Sequence, residues 1–248
     1  MSASNAARFT RVIAVVISLF LLVTGLILNA IGALSPSWQV VDIREFQAEH
    51  HHGLWLDCTR ADRAFMSPNR LVDKSPLHCT YKFDQNAAQV LDESQRDADA
   101  HSSAAEAEHH HFYGWHKAVL LFIVLSFGAG CMAVMVGFCS PCAPAYALIY
   151  AFLNFTTWFG GACAVAIFFF AAHRVDARFV QGLVATYEQS IGSAFYFYTI
   201  GVILHFFVFI LSVITAYQAV RRGDGDDELP IRELAPLYRH QMYGKTAV

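Results

Sequence analysis

Four stretches of this chain contain no Asp, Glu, Lys or Arg: Val12–Leu34, Ala118–Phe138, Ala143–Ala172 and Ala194–Val220. Each is at least about 20 residues long, the length a helix needs to cross roughly 30 Å of hydrocarbon. Lipid offers no partner for backbone N–H and C=O groups, so a helix, which satisfies them internally, is the structure such a run must take. A soluble protein burying four such helices needs a polar coat, and this chain lacks one. Only 15% of its residues are charged, against about a quarter in soluble domains, and 56% are hydrophobic. The reading is an all-α membrane protein with spans at 12–34, 118–138, 145–172 and 194–220. The first run follows Arg8 and Arg11 and closes on the small residues Ala30–Ala33, yet it outruns the about 7–15 apolar residues of a cleaved signal peptide.

Four spans leave both termini on one side of the bilayer. Arg8 and Arg11 before the first span and Arg221–Arg222 after the last assign that side to the cytoplasm, with Arg174 and Arg178 in the opposite short loop pulling the other way. The expected order is a cytoplasmic N-tail (1–11), an outside loop (35–117), a cytoplasmic hairpin (139–144), a second outside loop (173–193) and a cytoplasmic C-tail (221–248), in a multi-pass plasma-membrane protein. The tail carries Gly223-Asp224-Gly225-Asp226-Asp227-Glu228 and reads as mobile. A net charge of −3 and the lack of a basic arm argue against a nucleic-acid partner.

The first outside loop has two halves. Trp38–Ile43, Leu54–Cys58 and His78–Phe83 read as short strands between turn residues, whereas Asn86–His111, rich in Ala, Glu, Asp and Gln, reads as a polar helix. Residues 35–112 hold 13 acidic against 7 basic side chains, and 8 of the 12 histidines. Cys58 and Cys79 are alone in this loop. Outside is oxidising, so they are expected to pair, closing about 21 residues for about 3 kcal/mol in the chain-entropy model. Free thiols are the alternative.

Trp38, then Gly53-Leu54-Trp55, then Cys58 and Cys79 spell W…GLW…C…C in the first outside loop of a four-span chain. The pattern resembles the claudin superfamily, which includes claudins, peripheral myelin protein and the regulatory subunits of glutamate receptors and calcium channels; the overall layout is most similar to the nematode Clc-like branch. The resemblance implies a left-handed four-helix bundle capped by a small antiparallel sheet from the first loop. The GLW tryptophan then anchors the sheet at the membrane face and the cysteines bridge two strands. Trp38, Gly53, Leu54, Trp55, Cys58 and Cys79 would all be structural. The wider cysteine spacing, the longer segment before the second span, and Phe112-Tyr113-Gly114-Trp115-His116-Lys117 where claudins carry an Arg depart from the claudin pattern. These departures weigh against claudin-type pore formation and leave the fold intact.

Other features have two readings each. His50-His51-His52 and His109-His110-His111 offer neutral imidazoles for zinc or copper, or pH sensing, against the plainer reading of solvated surface runs. His205, Asn29 and Asn154 lie inside spans, where hydrogen bonding across helices is the expected role and a proton relay the sharper one. Asn154-Phe155-Thr156 matches a glycosylation sequon but falls within a span. Cys139-Ser140-Pro141-Cys142 lacks a redox or zinc context, which leaves palmitoylation of Cys139 and Cys142 at the membrane boundary, or plain hairpin packing. Thr246-Ala247-Val248 fits the tail class captured by PDZ domains. No nucleophile elbow, phosphate loop or HExxH occurs. The function expected is therefore not enzymatic and needs no cofactor. It consists of lateral and outward protein contacts in cell–cell contact or barrier organisation, with an auxiliary subunit of an ion channel or receptor as the alternative and a pore in its own right as the weakest reading.

Overall fold

In the computed structural model the described residues are 3–43, 48–61, 78–83, 113–141, 143–174, 179–181 and 186–243. The expected polar helix at 86–111, His109-His110-His111, Cys142 and Thr246-Ala247-Val248 lie outside them. Ten elements follow in order: α1 (Ala3–Leu34), β1 (Gln39–Ile43), β2 (Ala48–His52), β3 (Leu56–Ala61), β4 (His78–Tyr81), α2 (Gly114–Cys139), α3 (Pro144–Ala172), β5 (Phe179–Gln181), β6 (Thr186–Ile191) and α4 (Ser193–Tyr243).

Among the described residues, four helical segments are long and apolar enough to cross a membrane: Phe9–Leu34, Gly114–Cys139, Pro144–Ala172 and Ser193–Arg221. The shortest has 26 residues, which at about 1.5 Å each exceeds the hydrocarbon thickness. Helix α3 starts on Pro144, whose missing N–H costs nothing in a first turn. Helix α4 does not stop at the charged residues after Val220. Its backbone stays helical through Tyr243, where the Gly- and Asp-containing sequence had suggested a mobile tail. Extending a formed helix needs only one residue fixed per hydrogen bond, far less than starting a new one.

The helices pack in a ring: α1 on α4, α4 on α3, α3 on α2, and α2 on α1. At the end facing the sheet the core is Trp38, Leu54, Val119, Ile123, Phe168, Phe195 and Tyr198. Mid-bundle it is Leu22, Leu26, Ala133, Tyr150 and Val208. At the far end the contacts are alanines, Ala147, Ala216 and Ala219, and Arg11 of α1 donates to the carbonyl of Pro141 in the α2–α3 hairpin.

The α1–α4 seam is close because it lacks side chains where the helices meet. A methyl at Gly25 would stand 2.6 Å from His205 Cε1, and one at Gly201 would run into Asn29 Oδ1. His205 and Asn29 are both buried here. The hydrogen bonds across helices expected of His205 and Asn154 are not what the packing gives. Among the described residues neither ring nitrogen of His205 has a hydrogen-bond partner, and Asn154 Nδ2 donates back along its own helix to Tyr150 O at 2.9 Å. The polar ties between spans come instead from hydroxyls: Ser18 Oγ with Tyr150 Oη (2.9 Å), and Ser126 Oγ donating to Thr157 O (2.6 Å).

The six strands form an antiparallel sheet in the order β4-β3-β2-β1-β6-β5. The sheet expected from the first loop is present, and the second loop extends it. β6 pairs with β1 through Gln39↔Ile191, Val40↔Ser190 and Val41↔Gln189. The two loops are also joined beside the membrane, where Gly192 N donates to Trp38 O (2.9 Å) and Ala194 N to Ser37 O (3.1 Å).

Candidate functional site at the root of the sheet

The sheet meets the bundle at the end of α1. The last carbonyls of a helix have no partner within it. Here Trp38 Nε1 donates to Gly32 O at 2.8 Å and Trp55 Nε1 to Ala33 O at 2.9 Å. Two indoles from two points of the loop thus cap one helix end, each bond contributing about 1 kcal/mol net. Trp38 is fully buried, with Phe168 edge-on at 4.7 Å and Tyr198 at 5.5 Å. Removing an aromatic of this size from water contributes a few kcal/mol, at about 25 cal/mol per Å². Leu54 is equally buried in the same cluster. Gly53 makes the approach possible: its N–H donates to Leu56 O at 2.9 Å, and a methyl there would lie 2.8 Å from Pro36 Cα.

Cys58 and Cys79 face each other across the β3–β4 pair and form the disulfide. The bond joins strands whose positions 21 residues apart in sequence could otherwise drift in register.

Beside the disulfide lies a buried ionic chain. Lys82 Nζ is 3.3 Å from Asp57 Oδ1 and 3.2 Å from His116 Nε2, and His52 Nδ1 is 3.4 Å from the same Asp57 oxygen. Asp57 and His116 are each 4% exposed. The chain links β2, β3, the turn after β4, and the first turn of α2, where Trp115 stacks on His116 with centroids 3.5 Å apart. Burial pushes the Lys82 ammonium below the ordinary lysine value, and Asp57 beside it pulls the other way without overcoming the burial. A pair this far from water adds little net stability when intact, but losing one partner leaves an uncompensated buried charge.

The histidine triplet divides as a strand requires. His50 and His52 share one face, with rings 6.4 Å apart, and are buried, so the solvated surface run is overturned for these two. Residues two apart point the same way, and this face carries the buried Gln39, Val41 and Asp57. His51, on the opposite face, meets Ser37 Oγ at 3.1 Å. Among the described residues no group of three His, Cys, Asp or Glu side chains converges as a metal site would. Cys139 is a free, exposed thiol at the end of α2.

Sequence reasoning passed over Asp57, Lys82 and His116. The signal available was modest. Asp57 stands between the GLW motif and Cys58, Lys82 three residues after Cys79, and His116 at the mouth of a span. Nothing in the spacing said that the three would meet.

Four spans, a sheet rooted on the end of the first through two tryptophans, and a disulfide across its outer strands define a claudin-like membrane protein. A family model described as Clc-like matches residues 12–224, most of the chain, and the protein belongs to that family, a branch of the claudin superfamily. A comparison with curated proteins finds no match.

Proposed function

We propose that this protein acts without catalysis of its own, through lateral contacts of its spans and outward contacts of its sheet, in cell–cell contact or barrier organisation at the plasma membrane. The observation that carries the reading is the construction of the sheet. It draws on both loops, is stapled by Cys58–Cys79 and is fixed to α1 by Trp38 and Trp55, which makes it a rigid platform rather than a pair of loose loops. A disulfide persists in an oxidising compartment, which supports an outside sheet and cytoplasmic termini, in agreement with Arg8, Arg11, Arg221 and Arg222 at the other end. On that side, Cys139 with Cys142 is open to palmitoylation and Thr246-Ala247-Val248 to a PDZ scaffold.

A second reading, an auxiliary subunit of an ion channel or receptor, is favoured by the acidic balance of the first loop. Purification from native membranes in mild detergent separates the two. The contact reading expects the chain to recover itself from mixed cells carrying two different tags. Channel subunits recovered in fixed proportion, with no association between cells, would replace it with the second. A tag at either terminus should be reached by antibody only after permeabilisation, and one near Asp97 on intact cells.

A further inference from the structure

The ionic chain at the root of the sheet has a polarity that fixes its protonation. An ammonium has only N–H groups to give, so while Lys82 is charged, His116 Nε2 at 3.2 Å is the acceptor and the ring is neutral with its proton on Nδ1. Lys82 in turn faces Asp57 at 3.3 Å. The titratable groups that face this chain, among the described residues, are His52 and, two residues earlier, His50 from β2, Asp57 from β3, Lys82 after β4, and Tyr113 from the start of α2, its ring 6.0 Å from His116. Lys117, the residue after His116, is exposed.

We propose that His116 is a proton sensor that releases the β3–β4 corner of the sheet from α2 when the medium on the sheet side turns acidic. Proton uptake at Nε2 removes the acceptor that Lys82 uses. It also sets a second cation 3.2 Å from the ammonium, with Asp57 the one carboxylate among the described residues facing both. The indole face of Trp115 attracts an imidazolium, but a ring quadrupole does not offset a full like charge at that distance. Opening the corner lets water and salt screen the two cations. The sign follows from linkage. The closed form favours the neutral ring, so it binds fewer protons than the open form. Its stability is fully present above the ordinary histidine value of about 6.5 and is lost as pH falls below it. One proton of difference changes the ratio of open to closed by about tenfold per pH unit. The inference stands on the geometry of the junction, whichever partner the sheet contacts.

The test is hydrogen exchange on the full-length protein in lipid nanodiscs at about pH 7.5, 6.5 and 5.5, corrected for the intrinsic pH dependence of exchange. Protection of peptides covering 54–61 and 78–83 is expected to fall by up to about tenfold per unit below about 6.5, while α3 stays protected. His116→Gln keeps an acceptor for Lys82 and has no proton to take up, so its protection should stay flat. Flat protection in the unaltered protein overturns the proposal. So does a pH response that survives His116→Gln and disappears in His52→Gln, which would give the sensing to His52. If His116→Gln is already unprotected at the highest pH, Asp57→Asn with Lys82→Met decides. Without the second cation the response should flatten, and an undiminished one refutes the mechanism.

Discussion

The root of the sheet and the α1–α4 seam both bury polar side chains, and they handle them in opposite ways. At the root, Asp57 and Lys82 face each other charge to charge, with His52 beside the carboxylate and His116 beside the ammonium. In the seam, His205 and Asn29 carry ring nitrogens and an amide oxygen with no hydrogen-bond partner among the described residues, and the fit comes from Gly25 and Gly201 on the facing helices. Full charges taken out of water need an opposite charge beside them, and these have one. Neutral polar groups deep in a bundle are held by shape, with glycine supplying the room. The ionic chain should therefore be the more sensitive to a change of charge, and the seam to a small change of volume.

The sharpest break in that contrast is Asp57→Ala. It strands the Lys82 ammonium and should cost about 3–5 kcal/mol locally. The measurable result is protease access to residues 48–61 with the four spans still inserted. Lys82→Met added to it should recover part of the loss, because the stranded charge is gone. Next comes Cys58→Ser, at about 2–5 kcal/mol. Cys79→Ser on top should add nothing, since one bond is broken either way, and surface expression reads both. Peptide mass analysis without reduction should show the two cysteines joined in the unaltered protein. The smallest effect belongs to the seam. Gly201→Ala pushes a methyl at Asn29 and should cost about 1–3 kcal/mol. It should lower the melting temperature of the detergent-solubilised bundle and leave exchange in the sheet unchanged. An equal loss in both regions would show that seam and root unfold together.

The two regions were unequally legible in sequence. The spans announced themselves, because an uncharged run of sufficient length has few other fates. Trp38, Gly53, Leu54, Trp55, Cys58 and Cys79 were found as a motif, and their hydrogen bonds give the physical reason for it. Strand β2 was missed because Ala-Glu-His-His-His has no β-branched residue; its place between β1 and β3 comes from pairing, not propensity. β5 and β6 were missed because a loop of some twenty residues gave no hint that it would pair with a strand nearly 150 positions away. The ionic chain was invisible for the same reason: its members are brought together by register, and register is a property of the assembled sheet.

The pairing of β1 with β6 has a consequence for the order of events during synthesis. A chain emerges from its N-terminus, and the first loop is complete before the third span exists. Until residues 186–191 arrive, β1 presents an open row of backbone N–H and C=O groups, the kind of edge that pairs with whatever strand is near. Strand β1 gains its second neighbour only when the segment leading into the last span is in place, so that pairing certifies that the first three spans have been made. Chains halted before that point carry an exposed edge, a mark by which quality control can tell them from finished ones.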